Sequence, residues 1–159
     1  MFERTFSGAP WETRAGYCRA VRAGSHIYVS GTVPVTPEGG VHAPGDGEAQ
    51  AARCLEIIEA ALRKLGADRR AIVRTRMFVT AIDRWEEFGR AHQAFFRDHP
   101  PATTMVEVAR LIDPAMLIEI EAEAVAPPVE AEARAAGAAE APAGATQATP
   151  GAAPRAAGC

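Results

Sequence analysis

The sequence predicts an α+β domain in which two helices cover one face of a mixed sheet. Three observations carry this reading. Two stretches alternate with a period of two, one through Thr104, Val106 and Val108 and one through Ile118, Ile120, Ala122 and Ala124, the pattern of half-buried strands. Two other stretches repeat apolar residues at steps of three and four, Ala51, Leu55, Ile58, Leu62 and Leu65 in one and Trp85, Phe88, His92, Phe95 and Phe96 in the other, which is the stripe of an amphipathic helix. Large apolar residues then cease beyond Val129, so the core must be complete before that point.

In chain order, a short strand is expected at residues 3–6 within an irregular lead-in that reaches residue 15. A clearer strand follows at 16–21, with Tyr17, Arg19 and Val21 alternating against Cys18, Ala20 and Arg22. Ala23-Gly24-Ser25 supplies a turn, and the strand formers of 26–30 complete a hairpin. Pro37, Gly39, Gly40, Pro44 and Gly45 make 35–47 a loop. Asp46 is placed to cap the first helix, Glu48 suits its positive end and Gly66 stands at its close. Another strand is expected at 72–80. The second helix should start at Asp83, with Glu86 as capping-box partner, and stop before Pro100. The last two strands, joined through an Asp113-Pro114 turn, read as antiparallel neighbours. Their sheet places Thr103, Met105, Glu107, Glu119, Glu121 and Glu123 away from the helices. Three acids alternating along one strand need solvent, a ligand or a second subunit to tolerate them.

At 159 residues the chain suits one domain with a single core, assigned to residues 1–126. The remaining 33 residues hold 14 Ala, 5 Pro and 4 Gly, too little apolar surface to offset ordering the backbone, so 127–159 is read as a disordered tail. A net charge of −3 gives no electrostatic case for a nucleic-acid partner. No apolar run approaches the roughly 20 residues of a membrane helix. Met1-Phe-Glu-Arg-Thr-Phe6 lacks the basic-then-apolar order of a signal peptide, so the expected compartment is the cytoplasm. The odd count of Cys18, Cys54 and Cys159 argues for free thiols, with Cys54 a small core residue. His26, His42, His92 and His99 share no ligand spacing, and HExxH, CxxC, a phosphate loop and GxSxG do not occur. No metal or organic cofactor is expected.

Pro101-Ala-Thr-Thr-Met-Val-Glu-Val-Ala-Arg-Leu111, followed by Ile118-Glu-Ile-Glu-Ala122, resembles the signature of the Rid family of enamine/imine deaminases, also called YjgF/YER057c/UK114. The hairpin around Tyr17 and Val29-Ser30-Gly31, the helix after Asp46 and Phe78-Val79-Thr80 are similar to the same family, and the likeness spans roughly residues 2–126. The resemblance implies a two-layer, chorismate-mutase-like fold. It also implies a homotrimeric barrel with ligand clefts between subunits, and hydrolysis of reactive imines or enamines to a carbonyl product and ammonia without a cofactor. By the same resemblance, Tyr17 and Ser30 of the hairpin would bind the small-molecule ligand and Glu119 would activate water.

The family's substrate-binding arginine is replaced by Thr103, with Met105 at the next cleft position, and an asparagine of the second helix by Gly89. A guanidinium grips a carboxylate with two charge-assisted bonds where threonine offers one neutral bond. Arg14 is a candidate replacement donor. Two readings therefore stand: a Rid-type hydrolase, and a trimeric small-molecule-binding or interaction protein that kept the fold without the chemistry.

Overall fold

The computed structural model describes residues 2–126; the tail expected over 127–159 lies outside them. The irregular lead-in contains a strand, β1 (Glu3–Thr5), and a short helix, α1 (Pro10–Ala15). Pro10 sits at the helix start, where its missing N–H costs nothing. Gly16 ends the helix at φ +71°, and the N–H groups of Gly16 and Tyr17 both donate to the Glu12 carbonyl. That closure uses the backbone expected to begin a strand, so β2 runs over Ala20–Ala23 and Tyr17 and Cys18 precede it. The buried Glu12 carboxylate accepts from the Ser7 and Gly8 N–H groups at 2.9 and 3.1 Å, tying α1 to the end of β1.

The turn at Gly24 leads into β3 (His26–Thr32), and the hairpin pairs as expected. In α2 (Gly47–Arg63), the Asp46 side chain accepts from the Ala49 N–H at 2.9 Å, and Ala51, Leu55, Ile58 and Leu62 are buried, with Leu65 just beyond. Strand β4 (Ile72–Val79) follows. The second long helix, α3 (Trp85–Phe96), starts later than expected, behind a single 3₁₀ turn at Ile82–Arg84. Asp83 caps nothing: the Ile82 N–H donates to the Glu107 carboxylate, and Arg84 grips Glu87. Phe88 and Phe96 are buried, but Trp85 is 55% exposed. The last strands are β5 (Ala102–Glu107) and β6 (Ile118–Val125).

Among the described residues the six strands form one sheet in the order β1-β2-β3-β6-β4-β5. Neighbours are antiparallel except β4 and β5, which run parallel with α3 between them in sequence. This corrects the expected pairing of the last two strands. A parallel β4–β5 pair needs the α3 crossover and places β5 outside β4. The free inner edge of β4 then receives β6, which bridges to β3. Gln50, fully buried on α2, guides that return: its amide donates to the Ala115 carbonyl and accepts from the Leu117 N–H, both at 2.8 Å.

Both long helices contribute to one core against one sheet face, where Ile27, Val29, Met77, Val79, Ile118 and Ile120 are buried. On β5 the expected facing is reversed. Thr103 and Met105 lie in register with Thr75 and Met77 on the helix side, whereas Val106 is 42% exposed on the open face and Val108 is half-buried beyond the strand. The parallel register decides the matter, because a shift of one residue reverses every side chain.

The acids of β6 do project from the open face. Register sets Arg76 against Glu121, and its guanidinium meets Glu121 at 2.6 Å and Glu123 at 3.0 Å. Part of the like charge on β6 is therefore balanced within the chain, and Glu119 stands outside that bridge.

Candidate functional site

The open face is shaped by a bulge in β3. Val29 pairs with Ala122 and Thr32 with Ile120, so three steps on β3 match two on β6. Arg19 holds the extra residue: its Nη2 donates to the carbonyls of Ser30 and Gly31, the latter at 2.7 Å. The Ser30 hydroxyl donates to the Cys18 carbonyl at 2.8 Å, and the Thr32 hydroxyl to the Ser30 carbonyl at 2.8 Å. Ser30 therefore offers a ligand its lone pairs, its proton being engaged.

The bulge carries Gly31 beneath Glu119. A Cβ built on Gly31 would overlap Glu119 Oε1, so the carboxylate occupies the volume that the missing side chain leaves. Glu119 is half-buried, and this burial raises its pKa, Glu121 adding to the rise and Arg19 opposing it. Arg19 is 9% exposed, and among the described residues its Nε is a buried donor without a partner. The guanidinium carbon lies 5.9 Å from the centre of the Tyr17 ring. Tyr17, Ser30 and Glu119, singled out from the sequence, are thus gathered around Arg19 and Gly31, which were not. The available signal for Arg19 was an arginine beside strand residues whose neighbours are apolar.

Thr103 and Met105 stand elsewhere. They lie on the opposite sheet face, on a strand three inter-strand steps from β3, roughly 14 Å at the usual spacing. Met105 packs on the core. Thr103 is exposed but backed by a buried chain: the Thr75 hydroxyl donates to its Oγ1 at 2.8 Å, and His92 Nε2 lies 2.9 Å from Thr75 Oγ1. Arg14 is stacked 5.8 Å from the Trp11 ring on α1. Surface hollows of about 570 and 430 Å³ lie near Gly66 and Asp68 and near His42 and Arg53, and include none of these residues.

Cys54 is fully buried, which pushes its thiol pKa up and makes it a core residue rather than a nucleophile. Among the described residues, no group of three or more His, Cys, Asp or Glu side chains is arranged to hold a metal, and no helix is long and apolar enough to cross a membrane.

Comparison with known proteins places this geometry among relatives. The family model described as Endoribonuclease L-PSP matches residues 7–126. A RutC family protein of Haemophilus influenzae is 39% identical over 113 residues, covering 69% of this chain and 85% of the relative. The 2-iminobutanoate/2-iminopropanoate deaminase of Escherichia coli K12 is 38% identical over 112 residues, covering 69% and 86%. Among solved structures, Rv2704 of Mycobacterium tuberculosis, a member of the YjgF/YER057c/UK114 family, superposes with a TM-score of 0.72 at 41% identity, covering 79% of this chain and 99% of that one. The two-layer fold, with its helices on one sheet face, is the fold of these relatives.

Proposed function

The chain belongs to the Rid (YjgF/YER057c/UK114) family, and from that premise we propose that it hydrolyses a small imine or enamine, with Glu119 as the acid/base. The observation that carries this is the half-buried Glu119 carboxylate above Gly31, its pKa raised toward the range where a carboxyl exchanges protons efficiently. Glu119 takes a proton from water as the water oxygen bonds to the C=N carbon and returns it to the nitrogen, giving a neutral carbinolamine. Glu119 then takes the carbinolamine hydroxyl proton and passes it to the amine as the C–N bond breaks, so a carbonyl compound and ammonia leave and the carboxylate is restored. Ser30 adjoins Gly31 beneath the carboxylate and Tyr17 faces Arg19, and both would orient the substrate.

The site draws on two copies of the chain. Within one chain Thr103 and Glu119 lie on opposite faces, and the hollows avoid both. The open face also carries Tyr28 and Val106 at 47% and 42% exposure beside its charges, a mixed surface suited to association as a homotrimer with β5 of one subunit beside the bulge of the next. Sedimentation at micromolar concentration should give three times the chain mass; a monomer mass would refute the shared cleft. The alternating acids of β6 disfavour phosphate, so RNA is a poor candidate substrate for this face.

Thr103 in the arginine's place makes carboxylate-bearing imines weak substrates. A lost charge-assisted bond is worth about 1.5–3 kcal/mol, roughly ten- to a hundredfold in affinity. With 2-iminopropanoate generated in situ, Thr103→Arg should raise hydrolysis by roughly that factor. If neither the wild type nor this variant accelerates ammonia release while assembly is intact, the non-catalytic binding reading takes over, which Thr103 itself favours.

A further inference from the structure

Arg19 is tied into the bulge through both its backbone and its side chain. Its N–H donates to the Thr5 carbonyl of β1 at 2.9 Å, and its carbonyl accepts from the Ser30 N–H at 3.1 Å. With the backbone donor committed to β1, the successive carbonyls of Ser30 and Gly31 are left to the guanidinium, whose Nη2 serves both. A buried charge needs an opposite charge or a set of dipoles to offset its lost hydration. Among the described residues Arg19 forms no ion pair. Burial works against its charge, and Tyr17, Glu12 and Glu119 lie near enough to favour it. The Glu12 carboxylate is already held by Ser7 and Gly8, which leaves Glu119 to answer Arg19 across the bulge. Glu119 in turn is within electrostatic reach of Arg19, of Glu121 on its own strand and of Cys54 on α2. Cys54 is a buried neutral thiol and Glu121 is bridged to Arg76. Among these groups Arg19 is the cation that favours the Glu119 charge.

We infer that Arg19 is a positioning residue with two effects on Glu119: it pins the bulge that leaves the carboxylate its space above Gly31, and its fixed charge keeps that carboxylate ionised, and so able to take a proton from water, at neutral pH. This role rests on Glu119 being the acid/base. Arginine suits it because a guanidinium stays charged across the working pH range and offers only donors, so it holds the bulge without titrating itself. Without that field, a half-buried carboxyl beside Glu121 would take up a proton and keep it. Both Nη2 protons go to the bulge carbonyls, so the carboxylate receives the field of Arg19 while those protons leave its oxygens to water and substrate.

The test uses the full chain labelled with ¹³C in its glutamate carboxyls and ¹⁵N in its arginines, the Glu119 signal being the one that Glu119→Gln removes. In the wild type the Arg19 Nε–H signal, sheltered from exchange by burial, should move with the same midpoint as Glu119. Arg19→Gln should carry that midpoint to higher pH, because ionisation loses its cation, whereas Arg19→Lys should leave it in place. In the imine assay Arg19→Gln should lower kcat about a hundredfold, as displacement of a reacting group by about 1 Å would, with KM little changed and the rate inflection following the shifted midpoint. Arg19→Lys should keep the wild-type inflection and recover part of the rate. An Arg19 signal that stays flat through the Glu119 titration would overturn the inference, and this wild-type reading decides even where neither variant folds. So would a folded Arg19→Gln with the Glu119 midpoint unmoved, or equal shifts in the two variants, which a purely structural arginine would give. The hydrolase reading is judged apart, by turnover. A chain whose Glu119 titration obeys Arg19 but which hydrolyses no imine refutes that reading alone, and one that hydrolyses imines with a titration indifferent to Arg19 refutes the positioning role alone.

Discussion

Glu119→Gln should lower imine hydrolysis by roughly 10²–10⁴-fold, the usual worth of a positioned acid/base, with the fold unchanged. Glutamine keeps the shape above Gly31 but takes no proton from water. The expected cost to stability is nil, and its sign follows from burial. A carboxyl whose folded pKa stands above its unfolded value contributes stability when protonated. That contribution is whole below the unfolded pKa and is gone once pH has risen through the folded one. Glu119 is such a group, so above that pH its charge is a burden that glutamine removes. The wild-type rate should climb with pH through an inflection above the ordinary carboxylate range, and Glu119→Gln should erase that inflection. A variant with full activity, or one that loses activity together with its melting transition, would show that Glu119 is not the acid/base.

Gly31→Ala should cost about a hundredfold in the same assay, the penalty expected when a reacting group is displaced by about 1 Å. The backbone of Gly31 is not in the left-handed region, so alanine strains nothing locally. Its methyl collides with the Glu119 carboxylate, and Arg19, bonded to the carbonyls on either side of the Gly31 nitrogen and Cα, holds the bulge against retreat. The carboxylate must therefore swing away. Retention of wild-type turnover would mean that the carboxylate works from another position.

The helices were legible because burial at steps of three and four leaves a strong periodic mark: Leu55, Ile58 and Leu62 are where the pattern put them. The facing of β5 was not. Thr103, Thr104, Met105 and Val106 suit either side of a strand, and the choice is made by the parallel register with β4, a contact of distant origin in the sequence. The same reason hid the strand order, since nothing near Asp113-Pro114 records that β4 intervenes. Tyr17, Ser30 and Glu119 came from a family resemblance, and their gathering around Arg19 became visible only with the bulge. Arg19 escaped because the alternation of Tyr17, Arg19 and Val21 against Cys18, Ala20 and Arg22 does not say which set is buried. Its burial depends on Ser30, Gly31 and Tyr17 converging on it from other elements.

The place of β6 bears on how the sheet is assembled. It lies between β3 and β4, yet it is made after both. While a ribosome is still short of Ile118, the β1-β2-β3 ladder and the β4–β5 pair are two unjoined half-sheets, each with an open edge where β6 belongs. Open edges invite pairing with other chains, and closing contacts so distant in sequence is slow. The interval before β6 arrives is therefore when a nascent chain is most exposed to aggregation. The glutamates of β6 set like charges along one side of that strand, and like charges placed opposite one another disfavour pairing with a second copy.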